Sequence, residues 1–270
     1  MPASEAEWMY IAEKFNELWN FPNCIGAVDG KHIVMNAPPN SGSIFYNYKG
    51  THSIVLMGIA DAQYKFIYID VGANGRISDG GIFNKCTFAK AMENNQLNLP
   101  IAKPLPNRSC PVPYVLVADD AFALKSNILK PYSGRNLTGL QRIFNYRLSR
   151  ARRVIENVFG IMSARFRVLR KPIHVNADKT KQITLACCAL HNFLITRNSA
   201  LYAPMGSFDR YNPNGSLIPG EWRQDIANSS LYPLVNIPTY VPNDAKHIRE
   251  EFEQYFVTDG DIPWQYSLIE

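Results

Sequence analysis

The 270-residue chain is poor in several features, and each shortage narrows its class. No apolar run approaches the ~18 residues that span a bilayer, so no membrane association is expected. The N-terminus, Met1-Pro-Ala-Ser-Glu-Ala-Glu7, lacks the basic-then-apolar order of a secretory signal. Five cysteines (24, 86, 110, 187 and 188) are scattered and form no CxxC pair, which fits reduced thiols in an intracellular protein. The Asn-X-Ser/Thr matches at Asn107, Asn136, Asn214 and Asn228 then say nothing about glycosylation. Gly72-Ala-Asn-Gly75 and Gly80-Gly81 lack the Gly-Lys-Ser/Thr ending of a phosphate loop and read as turns. No Ser or Cys stands in a nucleophile-elbow context. Charged residues make up 19% against 46% hydrophobic, the balance of a globular chain rather than a disordered one. The length suffices for one large domain or two small ones.

What is present begins with charge placement. The net charge of +5 is modest, but nine Arg or Lys lie between Arg142 and Lys171 (142, 147, 150, 152, 153, 165, 167, 170, 171) against one acid, Glu156. Such a local excess draws a phosphate backbone, or else forms a solvated basic helix face.

Periodicity outlines the elements. Ser4 and Glu7 form a capping box ahead of Trp8, Ile11, Phe15 and Leu18, predicting a helix over 5–19. Strand-like runs follow at 24–35, 52–61 and 65–72, with linkers short enough for antiparallel hairpins. Asp79 is expected to cap a helix over 80–93. A Pro- and Asn-rich loop covers 94–113, then a strand at 114–118 and a short strand or turn near Ile128–Tyr132. Leu148, Ala151, Ile155, Phe159, Met162 and Phe166 form a 3.6-period stripe that predicts a helix from Asn145 to Phe166. A helix over 178–197 turns Ile183, Ala186, Cys187, Leu190 and Leu194 inward. Beyond 198 periodicity weakens, with one further helix near 244–256.

Three carboxylates carry chemistry. Asp29 closes the run Cys24-Ile-Gly-Ala-Val28, and Asp119 closes Tyr114-Val-Leu-Val-Ala118. Glu156 flanks the apolar stripe of the basic helix, at the edge that faces the sheet. Acids at two strand ends plus one on a helix would hold two Mg²⁺ or Mn²⁺ ions beside a phosphodiester. Each has a plainer reading: Asp29 and Asp119 as turn residues, and Glu156 as an i,i+4 partner of Arg152 or Arg153. Gly160 lowers helix stability and marks either a close approach by backbone or substrate, or tight packing on the sheet. Cys187, Cys188 and His191 read as core, and His32 and His52 as hydrogen-bonded structural histidines. Asp70 and Asp79 are outer candidates.

Six segments in order resemble the nuclease domain of PIF/Harbinger transposases, the family that includes the Harbinger transposase-derived nucleases. They are Val28-Asp-Gly-Lys-His-Ile33, Gly58-Ile-Ala-Asp61, Ser78-Asp-Gly-Gly-Ile-Phe83, Val117-Ala-Asp-Asp-Ala-Phe-Ala-Leu124, Arg153-Val-Ile-Glu-Asn-Val-Phe-Gly160 and Ala186-Cys-Cys-Ala-Leu-His-Asn-Phe193. The resemblance covers about residues 21–196. It implies an α/β, RNase H-like fold: a mixed five-stranded sheet flanked by helices, here with an irregular C-terminal extension. The expected organisation is a helix at 1–20, the nuclease domain at 21–197 and the extension at 198–270.

The resemblance also implies metal-dependent DNA cleavage, with strand transfer in active elements. Asp29, Asp119 and Glu156 match the three acidic positions, Asp120 being a decoy or helper. Arg152, Arg153, Lys31 and Arg147 are the expected nucleic-acid contacts. DNA is the expected partner, with a Myb-like DNA-binding protein and a second copy of the chain as further candidates. A DNA substrate implies the nucleus. About 20 residues precede the first strand, where similar proteins carry a helical DNA-binding region. A truncated copy or reliance on a partner is therefore expected. The alternative function is a catalytically inactive DNA- or protein-binding scaffold of the same fold; an RNA nuclease is a third.

Overall fold

A computed structural model describes residues 1–75, 79–225, 230–233 and 242–268. Helix α1 (Glu5–Trp19) starts where predicted, with the Ser4 hydroxyl accepting from the Glu7 amide at 3.3 Å. Glu7 returns its carboxylate to the Ala3 amide, one residue ahead of the usual capping box. Trp8, Ile11, Phe15 and Trp19 are buried, whereas Leu18, expected inward, is exposed.

Three long strands follow: β1 (Cys24–Met35), β2 (His52–Ala60) and β3 (Phe66–Asn74), paired antiparallel in sequence order. The predicted helix at 80–93 is split at Cys86 into α2 (Asp79–Lys85) and α3 (Thr87–Glu93), because the Cys86 sulfur caps the Ala89 amide. The side chain of Asp79, and with it the expected cap, lies outside the described residues. A small hairpin, β4 (Lys103–Pro104) and β5 (Pro111–Val112), precedes β6 (Val115–Val117) and β7 (Ile128–Leu129). Both β6 and β7 join the sheet in parallel.

Helix α4 (Gly139–Arg165) begins six residues before the predicted start at Asn145, where Thr138 and Gln141 complete a capping box. That box lies in a polar stretch, ahead of any apolar repeat. Helix α5 (Ala177–Tyr202) is turned relative to expectation. Thr180, Thr184, Cys187, Cys188, His191 and Ile195 face the core, while Leu190 lies 49% exposed and Ala186 is also outside.

The chain after 198 consists of short elements with one longer helix. Hairpin β8 (Arg210–Tyr211) and β9 (Leu217–Ile218), helix α6 (Trp222–Asp225), strand β10 (Leu231–Pro233) and α7 (Asn243–Val257) succeed one another. Phe252 and Phe256 of α7 enter the main core against Phe21 and Phe144.

The result is an RNase H-like mixed sheet in the order β3-β2-β1-β6-β7, flanked by helices, with β10 added to β1 as a sixth strand. Two strands thus share one edge of β1. Strand β6 pairs with Cys24–Ala27, β10 pairs with Lys31–Ile33, and a notch is left between them.

Candidate active site

Sheet register brings two of the three acids together. Ala27 of β1 is opposite Val117 of β6 in the parallel ladder. Asp29 and Asp119 each lie two residues further on. Asp119 lies just past the end of β6, and the Asp29 charge is near enough to act on its carboxyl. Asp29 is not at a strand end, as the apolar run suggested: β1 continues unbroken through it, opposite Gly58, to Met35. The neighbouring strand is what stops, because β6 ends at Val117 and β10 starts only at Lys31. Asp29 therefore faces the notch.

Asp29 is 2% exposed; its Oδ1 accepts from the Gly30 amide at 2.7 Å and its Oδ2 meets Lys31 Nζ at 2.6 Å. Asp119 Oδ1 accepts from the Ala121 amide at 2.9 Å, which fixes the carboxyl against the turn that follows. Burial pushes the Asp119 carboxyl above the ordinary range, and the Asp29 charge pushes it further, opposed by Arg152 and Lys31. An aspartate whose proton affinity is raised by the charge of a second one makes with it an all-oxygen donor pair suited to a hard divalent cation. The Lys31 ammonium is the stand-in positive charge on Asp29.

Glu156 approaches this pair but does not join it. Its Oε1 is 3.3 Å from Arg152 and its Oε2 is 2.6 Å from Arg153 Nη1, the ion-pair role considered for it from sequence. Lys31 and Glu156 nevertheless line one cavity of about 240 Å³, together with Phe159, Trp222 and Arg223. Among the described residues, no three His, Cys, Asp or Glu side chains are placed to hold a metal. Asp29 and Asp119 fit the metal; Glu156 fits only if its arginines release it. Asp120 pairs with Lys130 at 3.0 Å instead.

Residues absent from the sequence reading surround the α4 flank next to Glu156. Asp209, fully buried, binds Arg223 through both oxygens at 2.8 and 2.5 Å and also accepts from the Gly220 amide. Arg153 lies 3.8 Å from the same carboxylate, so it bridges Asp209 and Glu156. Asn157 exchanges hydrogen bonds with the Asp209 backbone, and its Oδ1 also accepts from Trp222 Nε1 at 2.8 Å. The Trp222 indole covers Gly160: a Cβ there would lie 2.7 Å from Cε2 and closer still to Cδ2 and Cε3. The partner that needs this glycine is thus a side chain of the extension, neither the sheet nor a backbone. Gly160 was the one available signal, since nothing local around 209 or 222 announces the contact.

The basic cluster is largely consumed inside the protein. Arg147, expected to meet nucleic acid, is 2% exposed. It donates to the carbonyls of Asn20 and Gly260 and to Gln265 Oε1, and stacks on Phe256. Burial lowers its guanidinium to about 10. Arg165 and Arg170 bind carbonyls of Tyr202, Ser163 and Ala164. Arg152, Arg153 and Lys31 remain partly accessible at the acids.

His191 and His32 are structural. His191 Nε2 faces the Tyr64 carbonyl, which can only accept, so that nitrogen carries the proton and Nδ1 accepts from the Tyr202 hydroxyl. His32 Nδ1 meets the Ser53 hydroxyl at 2.9 Å. Cys187 and Cys188 are buried free thiols.

Residues 28–192 match the family described as DDE superfamily endonuclease. The chain is 28% identical over 188 residues to the ALP1-like protein of Arabidopsis thaliana, covering 68% of this chain and 46% of that protein. It is 27% identical over 187 residues (68% and 47%) to Antagonist of Like Heterochromatin Protein 1, also from Arabidopsis thaliana. It is 26% identical over 194 residues (71% and 51%) to the Rattus norvegicus protein named "Putative nuclease HARBI1". The chain thus spans about half the length of these relatives. No solved structure gives a significant match. With more than half its length inside the family match, on an RNase H-like sheet that places two aspartates side by side, the chain belongs to the DDE superfamily endonucleases.

Proposed function

We propose that this protein cleaves DNA phosphodiesters as a divalent-metal-dependent endonuclease of the transposase type, with Asp29, Asp119 and Glu156 as its acidic triad. The juxtaposition of Asp29 and Asp119 across β1 and β6 carries this reading. Bound Mg²⁺ or Mn²⁺, as a pair, would activate a water and stabilise the leaving oxygen. The chain's own part is positional. Asp29 and Asp119 present oxygens, held by the Gly30 and Ala121 amides. Lys31, Arg152 and Arg153 neutralise substrate phosphate, and in doing so free Asp29 and Glu156 from their present ion pairs. Strand transfer, a Myb-like partner and self-association belong to the same reading. The heterochromatin protein in the name of one relative supports a nuclear location.

A second reading, a binding scaffold without catalysis, draws on the two arginines that hold Glu156. A Mn²⁺ titration followed by thermal melting separates the two on wild type, Asp29→Asn and Asp119→Asn. Ligand that binds only the folded state raises the melting temperature with concentration. A rise in wild type that both variants lose supports the metal site. An equal rise in all three, or none, favours the scaffold. Cleavage of supercoiled DNA in Mn²⁺ then tests the activity itself.

A further inference from the structure

A cavity of about 660 Å³ opens between the end of α1, the β2–β3 turn, α5 and β8. Its charged lining is unbalanced. Arg150, Arg210 and Lys65, the last 3.9 Å from Asp61, face it with a single lining acid, Asp209, whose two oxygens are already bound by Arg223 and the Gly220 amide. Arg150 is only 6% exposed, yet among the described residues no carboxylate pairs with it or with Arg210. Its guanidinium lies over the Tyr211 ring at 4.0 Å and the Trp264 ring at 4.5 Å. Stacking engages the flat faces of the group and leaves its N–H edge, where one hydrogen bond goes to the Tyr146 hydroxyl at 3.3 Å. A buried guanidinium with aromatic faces and a largely unspent donor edge is built to meet a planar or tetrahedral oxyanion. Thr196 and Ser199 line the same cavity and offer hydroxyl donors.

The place of this cavity says which oxyanion. Arg150, Arg153 and Glu156 succeed one another three residues apart on α4, so Arg150 lies about 9 Å along the helix axis and about 120° round it from Glu156. Phosphates along one strand of DNA advance ~3.4 Å per nucleotide. A strand that curves round α4 from the acids past Arg153 would cover that distance within a few nucleotides. We propose, resting on the nucleic-acid reading above, that the cavity is a phosphate subsite centred on Arg150 that holds a backbone phosphate of the bound strand. Arg210 and Lys65 assist from the rim.

The test uses the full chain as wild type, Arg150→Met and Arg210→Gln, with melting curves to confirm folding. Methionine keeps the stem between the two rings and removes the charge. One arm titrates a fluorescent single-stranded DNA oligonucleotide at several salt concentrations; the other titrates inorganic phosphate by calorimetry. Each variant should bind the oligonucleotide roughly tenfold more weakly. Its plot of log affinity against log salt should flatten by ~0.7 for each phosphate the protein no longer neutralises. A merely structural arginine would leave that slope unchanged. If Arg150→Met fails to fold, Arg210→Gln, on a half-buried hairpin residue, gives the same readout. Unchanged slopes in a wild type that binds DNA overturn the subsite while sparing the nuclease reading. Phosphate binding abolished in Arg150→Met with unchanged oligonucleotide slopes assigns the cavity to free phosphate and overturns the strand assignment. A wild type that binds neither probe overturns the subsite, and the nuclease reading is then judged by its own Mn²⁺ and cleavage tests.

Discussion

Replacing Gly160 by alanine sets two effects of opposite sign against each other. In an exposed helix interior the change stabilises by roughly 1 kcal/mol, because glycine loses more backbone entropy on folding. Here the new methyl would overlap the Trp222 ring, which is only 6% exposed and packed against Ile161, Ile195 and Tyr202. Forcing a methyl into such a space costs about 1–3 kcal/mol. Displacing the indole also breaks its bond to Asn157 Oδ1, a further loss of about 1 kcal/mol. The balance is destabilisation by roughly 1–3 kcal/mol, a fall of several degrees in melting temperature for a chain of this size. Thermal or urea unfolding measures it. The same substitution in a Trp222→Ala background should change sign, since the obstacle is gone and the propensity gain of roughly 1 kcal/mol remains. The double-mutant cycle should therefore show a coupling larger than about 1 kcal/mol. If Gly160→Ala raises the melting temperature in the wild-type background, the extension does not rest on α4 as described.

Two further outcomes follow from groups buried in the core. Arg147→Met leaves the Asn20 and Gly260 carbonyls without their donor and should cost about 2–4 kcal/mol of stability. Its salt dependence of oligonucleotide binding should match wild type; a flatter slope would return Arg147 to the nucleic-acid surface. His32 and His191 are lowered to about 4 by burial, below the value of about 6.5 expected when unfolded. The unfolded chain then binds more protons between pH 6.5 and 4, so stability is complete above that window and falls as pH drops through it. Each His contributes at most about 3 kcal/mol to that fall. Urea midpoints from pH 7 to 5 should show it for wild type and less steeply for His191→Gln; parallel profiles would contradict the assignment.

Local pattern determined much of this protein. The alternation and turn residues that define β1, β2 and β3, and the stripe of α4, act over a few residues, so chain order suffices to read them. Asp29 and Asp119 were legible for the same reason: each follows an apolar run, and the parallel register of two such runs sets acids at equal distance beyond Ala27 and Val117 side by side. Tertiary structure alone decided how the charges are spent. Glu156 is paired with its own helix neighbours Arg152 and Arg153, and Arg153 is also held near Asp209, more than fifty residues later. Arg147 and Arg150 look alike in the sequence. One is sealed against Phe256 and three oxygens, and the other lines a cavity, because the segments that meet them come from distant parts of the chain, the extension among them. Periodicity reports which face of an element is buried. It carries no record of which distant segment buries it, and here that segment sets the chemistry available to each arginine.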